Sequence, residues 1–259
     1  MDCNIISHRG ANKYAPQNTI PAFKKSLEIG VDGFETDVHL TVDGHVVICH
    51  NYTVDETSDG FGNISDMTLE RVRELDFGSY YSDKFIGTKA PLLSEFLELC
   101  TDDSIKVMNI EIKKPLDGNT IIADKTISAV KEAGLFDKVL ISSFDPEILL
   151  RCKEVDAGCK TGFLYSPDRK VCYKKMITDY VGYAKELKVD YLHPHYLMVT
   201  ERYVKALHDN GIGVNPWTVD DKETARKLLS YGVDGLITNV PDVMNKVLSD
   251  FNKKENYNK

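Results

Sequence analysis

The sequence predicts an α/β protein folded as one TIM (β/α)8 barrel. Three observations carry that expectation. Short apolar runs that read as strands alternate with helically periodic runs from end to end, giving eight strand-helix units. The length of 259 residues suits a single closed barrel. The joints between units also repeat: Gly30-Val31-Asp32-Gly33 returns as Gly232-Val233-Asp234-Gly235, with Val189-Asp190-Tyr191 a shorter version. No Gly-x-Gly-x-x-Gly follows the first strand, which weighs against an open dinucleotide-binding sheet.

Residues 4–10, NIISHRG, read as the first strand. Asn18-Thr19 can cap the first helix, Pro21 suits its first turn, and Gly30 closes it. The second strand begins GFETDV at Gly33; the turn Asp43-Gly44 and the apolar run Val46 to Cys49 then make a hairpin ending at His50. Residues 51–91 break the rhythm, being polar and Gly-rich with one short helix over 68–75. They read as a small insertion between the second strand and the following helix, the kind of segment that tends to serve function. The alternation resumes with a helix over 92–101, a strand over 106–114, a helix over 119–134 and a strand over 138–144. Asp145-Pro146 opens the next helix, and the strand 160–166, helix 174–188 and strand 190–196 follow. The last units are the helix 200–211, strand 213–219, helix 222–232, strand 234–241 and helix 241–251. Residues 1–251 thus form one barrel domain that includes the 51–91 insertion, and 252–259 a polar, frayed tail.

A net charge of −8 argues against nucleic acid or an anionic membrane surface as the main partner. It leaves room for a small anionic substrate, which needs only local positive charge. No apolar run approaches the roughly 18 residues of a membrane span. No signal peptide is visible, and the six cysteines form no Cys-x-x-Cys pair. The expectation is a cytoplasmic protein with reduced, structural thiols. The oligomeric state stays open.

In such barrels the active site lies at the C-terminal ends of the strands. Glu35 and Asp37 alternate with Phe34, Thr36 and Val38, so both carboxylates share one face. Two acids held that close need a compensating charge, and a hard divalent cation with oxygen ligands is a natural one. Glu111 and Lys113 share the inward face of the next barrel strand by the same period. His8 and Arg9 end the first strand, His50 ends the hairpin, Ser142-Ser143-Phe144 end another strand, and His193, His195, Asn215 and Trp217 lie near the last ones. Taken singly, these residues have ordinary readings. His8 alone is a core histidine, Glu111-Lys113 alone an ion pair, and Trp217 alone is either core packing or an apolar wall for a ligand. His193 and His195 fill the upper barrel or meet substrate. His39 and His45 are expected at the exposed hairpin, and His208 on a helix flank. Three acids and a lysine converging on one mouth, however, are costly unless used.

His8-Arg9-Gly10, Pro16-Gln17-Asn18-Thr19, Glu35-Thr36-Asp37-Val38, His50, Glu111-Ile112-Lys113 and Trp217-Thr218-Val219 together resemble the glycerophosphodiester phosphodiesterases over essentially the whole chain. The resemblance implies a metal-dependent barrel that hydrolyses glycerophosphodiesters, such as glycerophosphocholine and glycerophosphoethanolamine, to sn-glycerol 3-phosphate and an alcohol. It makes Glu35, Asp37 and Glu111 ligands of one divalent cation, Ca²⁺ or Mg²⁺. It makes His8 and His50 the acid-base pair, and Arg9 and Lys113 the phosphate holders; Trp217, as an apolar wall, is the candidate substrate contact from the residues themselves. It favours attack by the glycerol hydroxyl through a cyclic intermediate, with direct attack by water the other route. Gln17 departs from the glutamate usual in the family.

Two rival functions remain in view. A lysophospholipase D or a phosphoinositide phospholipase C-like enzyme would use the same barrel on a lipid diester, but would want an apolar or basic rim. The insertion carries Phe61, Phe77, Tyr80, Tyr81 and Phe85 without a basic cluster. A non-catalytic binder of glycerol phosphates could have lost its acid-base pair or its ligands, and this chain keeps both sets.

Overall fold

A computed structural model of the chain describes residues 3–167 and 175–257. Eight parallel strands form the barrel in the order β8-β7-β6-β5-β4-β2-β1-β9, with β3 pairing antiparallel to β2 outside that path. The strands are β1 (Asn4–His8), β2 (Gly33–Leu40), β3 (Val46–Ile48), β4 (Val107–Ile112), β5 (Val139–Ser143), β6 (Thr161–Tyr165), β7 (Tyr191–Pro194), β8 (Gly213–Val214) and β9 (Gly235–Thr238). The seam between β8 and β9 is drawn together by Ile237 N–H donating to the Pro216 carbonyl and Val219 N–H to that of Ile237, at 3.1 and 2.9 Å. β8 is shorter than expected, although Asn215 and Trp217 still donate their N–H groups to the Leu192 and Pro194 carbonyls of β7; Pro216 faces β9, to which it offers only a carbonyl.

Each helix packs its apolar face on the outside of the sheet. Phe23, Phe34 and Phe96 interlock there with ring centroids 4.8–5.7 Å apart. Burying each such ring contributes about 1.5–3 kcal/mol. The first helix, Ile20–Ile29, has Pro21 in its first turn and Gly30 at φ 78°, whose N–H returns to the Ser26 and Leu27 carbonyls. Thr19 does not cap it with its side chain; its hydroxyl donates to the Pro16 carbonyl instead.

The repeated joints have a physical cause at the base of the barrel. Asp32, Asp190 and Asp234 each donate their backbone N–H to one residue of the neighbouring strand and accept that residue's N–H on the carboxylate. The partners are Ile5, Thr161 and Val214, with carboxylate distances of 3.0, 2.7 and 2.7 Å. One aspartate thus completes both hydrogen bonds of an adjacent strand start, where the ladder would otherwise leave a donor unpaired.

The insertion after β3 carries the short helix Leu69–Glu74 and has its own small core of Val54, Ile64, Val72, Leu75 and Phe77, packed on Val47 and Cys49. The helix expected over 174–188 is described from Lys175 onward and is interrupted at Asp179, whose carboxylate caps a new helix, Tyr180–Glu186, by accepting from Gly182 N–H; residue 174 lies outside the described residues. The polar tail expected to fray from 252 is instead helical as far as it is described: the last helix runs Pro241–Tyr257, and 258–259 lie outside the described residues. Among the described residues no helix is long and apolar enough to cross a membrane. Cys3, Cys49, Cys100, Cys152 and Cys159 are buried free thiols, and Cys172 lies outside the described residues.

Candidate active site

The strand register assembles the acids. In β1, β2 and β4, His8 stands beside Glu35, Glu35 beside Asn109, and Asp37 beside Glu111. Period two sends Glu35, Asp37 and Glu111 into the barrel mouth, where one oxygen of each lies within 4.8 Å of the others. All three are buried, at 4%, 1% and 7% exposure. Lys113 Nζ stands 2.8 Å from Asp37 Oδ1 and 2.5 Å from Glu111 Oε1. Arg9 Nε lies 3.4 Å from Asp37 Oδ2, and His8 Nε2 lies 4.0 Å from Glu35 Oε2.

The turn after β1 is shaped for this. Arg9 sits in the left-handed region at φ 58°, and its backbone N–H donates to Glu35 Oε2 at 2.9 Å. Gly10, at φ 76°, presses so close to the first helix that a Cβ there would come within 2.7 Å of the Ala22 Cβ. Gln17 Oε1 accepts from Arg9 Nη1 at 2.7 Å, so the amide still steers the guanidinium without adding charge. Asn18 Nδ2 donates to Asp37 Oδ2 at 2.8 Å while its own oxygen accepts from the Thr36 hydroxyl at 2.9 Å.

The electrostatics report an excess of negative charge. Burial, then Asp37, pushes the Glu35 carboxyl well above its usual range. Burial likewise lifts Glu111 to about 7, against the pull of Lys113. Burial alone would raise Asp37 too, but Lys113 and Arg9 hold it well below the usual carboxylate range. Burial would lower the Lys113 ammonium, yet Asp37 and Glu111 hold it above its ordinary value. Burial lowers His8 to about 3, with Arg9 adding to the effect, and lowers His50 to about 4, so both imidazoles are neutral near pH 7. A cluster of three buried carboxylates that draws two of its members toward protonation fits a hard divalent cation.

A cavity of about 960 Å³ opens beside the acids, reached by His50, Glu111 and Lys113 and walled by Tyr52, Phe144 and Tyr165. Trp217 packs edge-on against Phe144 at 5.6 Å and donates its indole N–H to the His193 carbonyl at 2.8 Å. His193 fills the barrel interior: it is fully buried, and its Nε2 would sit 2.7 Å from a Cβ at Gly162. His195 caps a short 3-10 turn and packs on Trp217. His39 corrects the expectation of exposure. It shares the inward face of β2 with Glu35 and Asp37, is 5% exposed, and meets the Tyr52 ring at 5.1 Å. His45 is exposed as expected, and His208 pairs with Asp234 at 2.8 Å.

Sequence reasoning missed Asn18, and also Asn51, Glu56, Asp220 and Asn239. Asn239 follows the last residue of β9, so the strand-end rule reaches it; the other four sit in loops with no periodic signal.

Comparison with known proteins gives the family and the same fold. A glycerophosphodiester phosphodiesterase of Caldanaerobacter subterraneus is 39% identical, covering 94% of this chain and 97% of its own. A solved structure from Silicibacter pomeroyi superimposes with a TM-score of 0.89 at 26% identity, over 97% of this chain and 94% of that one. An Oleispira antarctica phosphodiesterase, solved with its product sn-glycerol-3-phosphate, has a TM-score of 0.84 at 24% identity, over 95% and 96% of the two chains, and shares the fold. The model of the glycerophosphoryl diester phosphodiesterase family matches residues 8–243. This chain belongs to that family and is an enzyme, a glycerophosphodiester phosphodiesterase.

Proposed function

We propose that the enzyme hydrolyses small glycerophosphodiesters, such as glycerophosphocholine and glycerophosphoethanolamine, to sn-glycerol 3-phosphate and an alcohol, with His8 and His50 as the acid-base pair. The observation that supports this best is the buried cluster of Glu35, Asp37 and Glu111, set beside His8, Arg9 and Lys113 and open to the cavity at His50. One Ca²⁺ or Mg²⁺ ion held by Glu35, Asp37 and Glu111 would supply positive charge against a phosphodiester anion, and all-oxygen ligation suits either ion. Arg9 and Lys113 bind the non-bridging oxygens, stabilising the charge that builds on them. One histidine takes a proton from the attacking hydroxyl on its neutral ring; the other must first be charged to the imidazolium, and gives that added proton to the leaving alkoxide. Water and the neighbouring glycerol hydroxyl are both served by these two proton transfers.

The insertion acts as a specificity wall: Asn51, Tyr52, Thr53 and Glu56 line the cavity. Tyr80 from the same segment accepts the Gln17 N–H at 3.2 Å, so the insertion also reaches across to the Arg9 turn. Phe144, backed by Trp217, forms the facing apolar wall. The buried thiols suit a reducing, cytoplasmic setting.

The test is glycerol 3-phosphate release from glycerophosphocholine by EDTA-stripped protein, before and after adding Ca²⁺ or Mg²⁺. Release that needs the cation and falls by about 10²–10⁴ in His50→Ala supports the reading. Activity on micellar lysophospholipid alone would move the substrate to a lipid diester, and cation-independent release would remove the metal.

A further inference from the structure

Each proposed catalytic histidine ends a chain of the same three links. His8 Nδ1 lies 2.7 Å from Asn239 Oδ1, and Asn239 Nδ2 donates to Asp220 Oδ2 at 2.6 Å. His50 Nδ1 lies 2.5 Å from Asn51 Oδ1, and Asn51 Nδ2 donates to Glu56 Oε2 at 2.7 Å. The two chains share no residue. One gathers the loops after β8 and β9, and the other lies within the insertion.

The links determine one another in order. An ionised carboxylate only accepts, so it must face the amide NH₂ group rather than the amide oxygen. That choice turns the amide oxygen toward the imidazole. A carbonyl oxygen also only accepts, so the facing Nδ1 must carry the ring proton. Nε2 is then left with its lone pair, on the side of the ring away from the asparagine. For His8, that is the side of Glu35, 4.0 Å from Nε2. A charge two links away thereby chooses which nitrogen meets the reactants, and no proton has to travel along the chain. The amide adds no net charge to a mouth that already holds three carboxylates.

We infer that Asn239 with Asp220, and Asn51 with Glu56, are positioning residues that fix Nδ1–H and ring orientation in His8 and His50, so that each exchanges its proton with the reactants through Nε2, bare in the base and protonated in the imidazolium that acts as the acid. This inference rests on the acid-base reading of the two histidines. Neutral imidazoles held through one ring nitrogen by a hydrogen-bonded partner are a known way to set the other nitrogen's direction.

The two supports differ in strength. Asn239 Oδ1 also accepts from Asn12 Nδ2 at 2.6 Å, and Asp220 Oδ1 takes the Asn239 backbone N–H at 2.8 Å and the Thr238 hydroxyl at 3.1 Å. Glu56 and Asp220 are both exposed, so the difference lies in these further bonds on the Asn239 side. The His8 support is therefore the more rigid, and its loss should matter more.

The deciding measurement is a long-range proton-nitrogen correlation spectrum of cation-free protein labelled with ¹⁵N-histidine, recorded near neutral pH. Signals are assigned with His8→Ala and His50→Ala. The wild type should show both rings protonated on Nδ1. Asp220→Asn, which lets the amide turn over, should give His8 a mixture of tautomers and lower kcat with KM within two-fold. Asn239→Ala should lower kcat by about 10–100-fold, again with little change in KM. The exchanged pair Asn239→Asp with Asp220→Asn restores an acceptor for Nδ1–H and a donor behind it. It should recover the single tautomer and return kcat to within a few-fold of wild type. Glu56→Gln should lower kcat less than Asp220→Asn. Wild-type rings protonated on Nε2, or full turnover in Asn239→Ala, would overturn the inference. Wild-type turnover in His8→Ala or His50→Ala would instead overturn the acid-base reading beneath it, while the spectra would still report the tautomer.

Discussion

The two ends of the barrel are both lined with acids, and they use them in opposite ways. At the base, Asp32, Asp190 and Asp234 stand apart, with side chains 23%, 41% and 39% exposed. Each has its own cationic or histidine partner, Lys106, Lys153 or His208, and its own backbone N–H. At the mouth, Glu35, Asp37 and Glu111 are buried and crowded together with Lys113 and Arg9. A lone, half-exposed acid with a donor at hand costs little and ties strands together. Three buried acids within 4.8 Å of one another stabilise nothing by themselves. The difference separates acids that hold the fold from acids that the fold has to hold.

That contrast can be broken by exchange of charge for amide or alanine. The largest effect is expected for Glu35→Gln, which should lower kcat by about 10²–10³ and weaken cation binding measured by calorimetry, while the Tm of the cation-free protein stays level or rises because a buried like-charge contact is relieved. A clear fall in Tm with activity retained would place Glu35 among the structural acids. Next comes Asp32→Ala, expected to cost about 1–3 kcal/mol in urea unfolding by stranding the Ile5 N–H, with kcat within two-fold of wild type. A loss of turnover without loss of stability would erase the distinction between the two ends. Lys106→Ala should be the smallest: its pair with Asp32 is two-thirds exposed on the lysine side, so unfolding should shift by under about 1 kcal/mol. A larger shift would mean that the base acids depend on their cations more than on the backbone.

Much of this was legible in the residues, because period and register are simple geometry. The alternation in GFETDV placed Glu35 and Asp37 together, and the same count in NIEIK placed Glu111 and Lys113. The count also applied to His39, two residues beyond Asp37, where the hairpin suggested exposure; the insertion's Tyr52 covers it instead. The repeated Val-Asp joints were visible as a repeat, but their reason was not, since it lies in strands that are neighbours in space. The same holds for Asp220 and Asn239. Side-chain relays between loops leave no period in a sequence, and their partners are chosen by how the barrel closes. Asn18 illustrates a further limit. It reads as a helix cap, yet its amide is drawn to Asp37, which outcompetes the helix end.

The contact between His8 and Asn239 spans 231 residues and joins the first strand of the barrel to the last. During synthesis, β1 leaves the ribosome early, with its histidine and arginine already in sequence but without the amide that aligns the ring. Chain growth therefore separates having the reactive groups from having them oriented. The His8 ring gains its partner only when β9 completes the barrel beside β1. By this account closure of β9 on β1 raises turnover by about the 10–100-fold that Asn239 is expected to supply, so a rise in rate of that size reports closure of the fold.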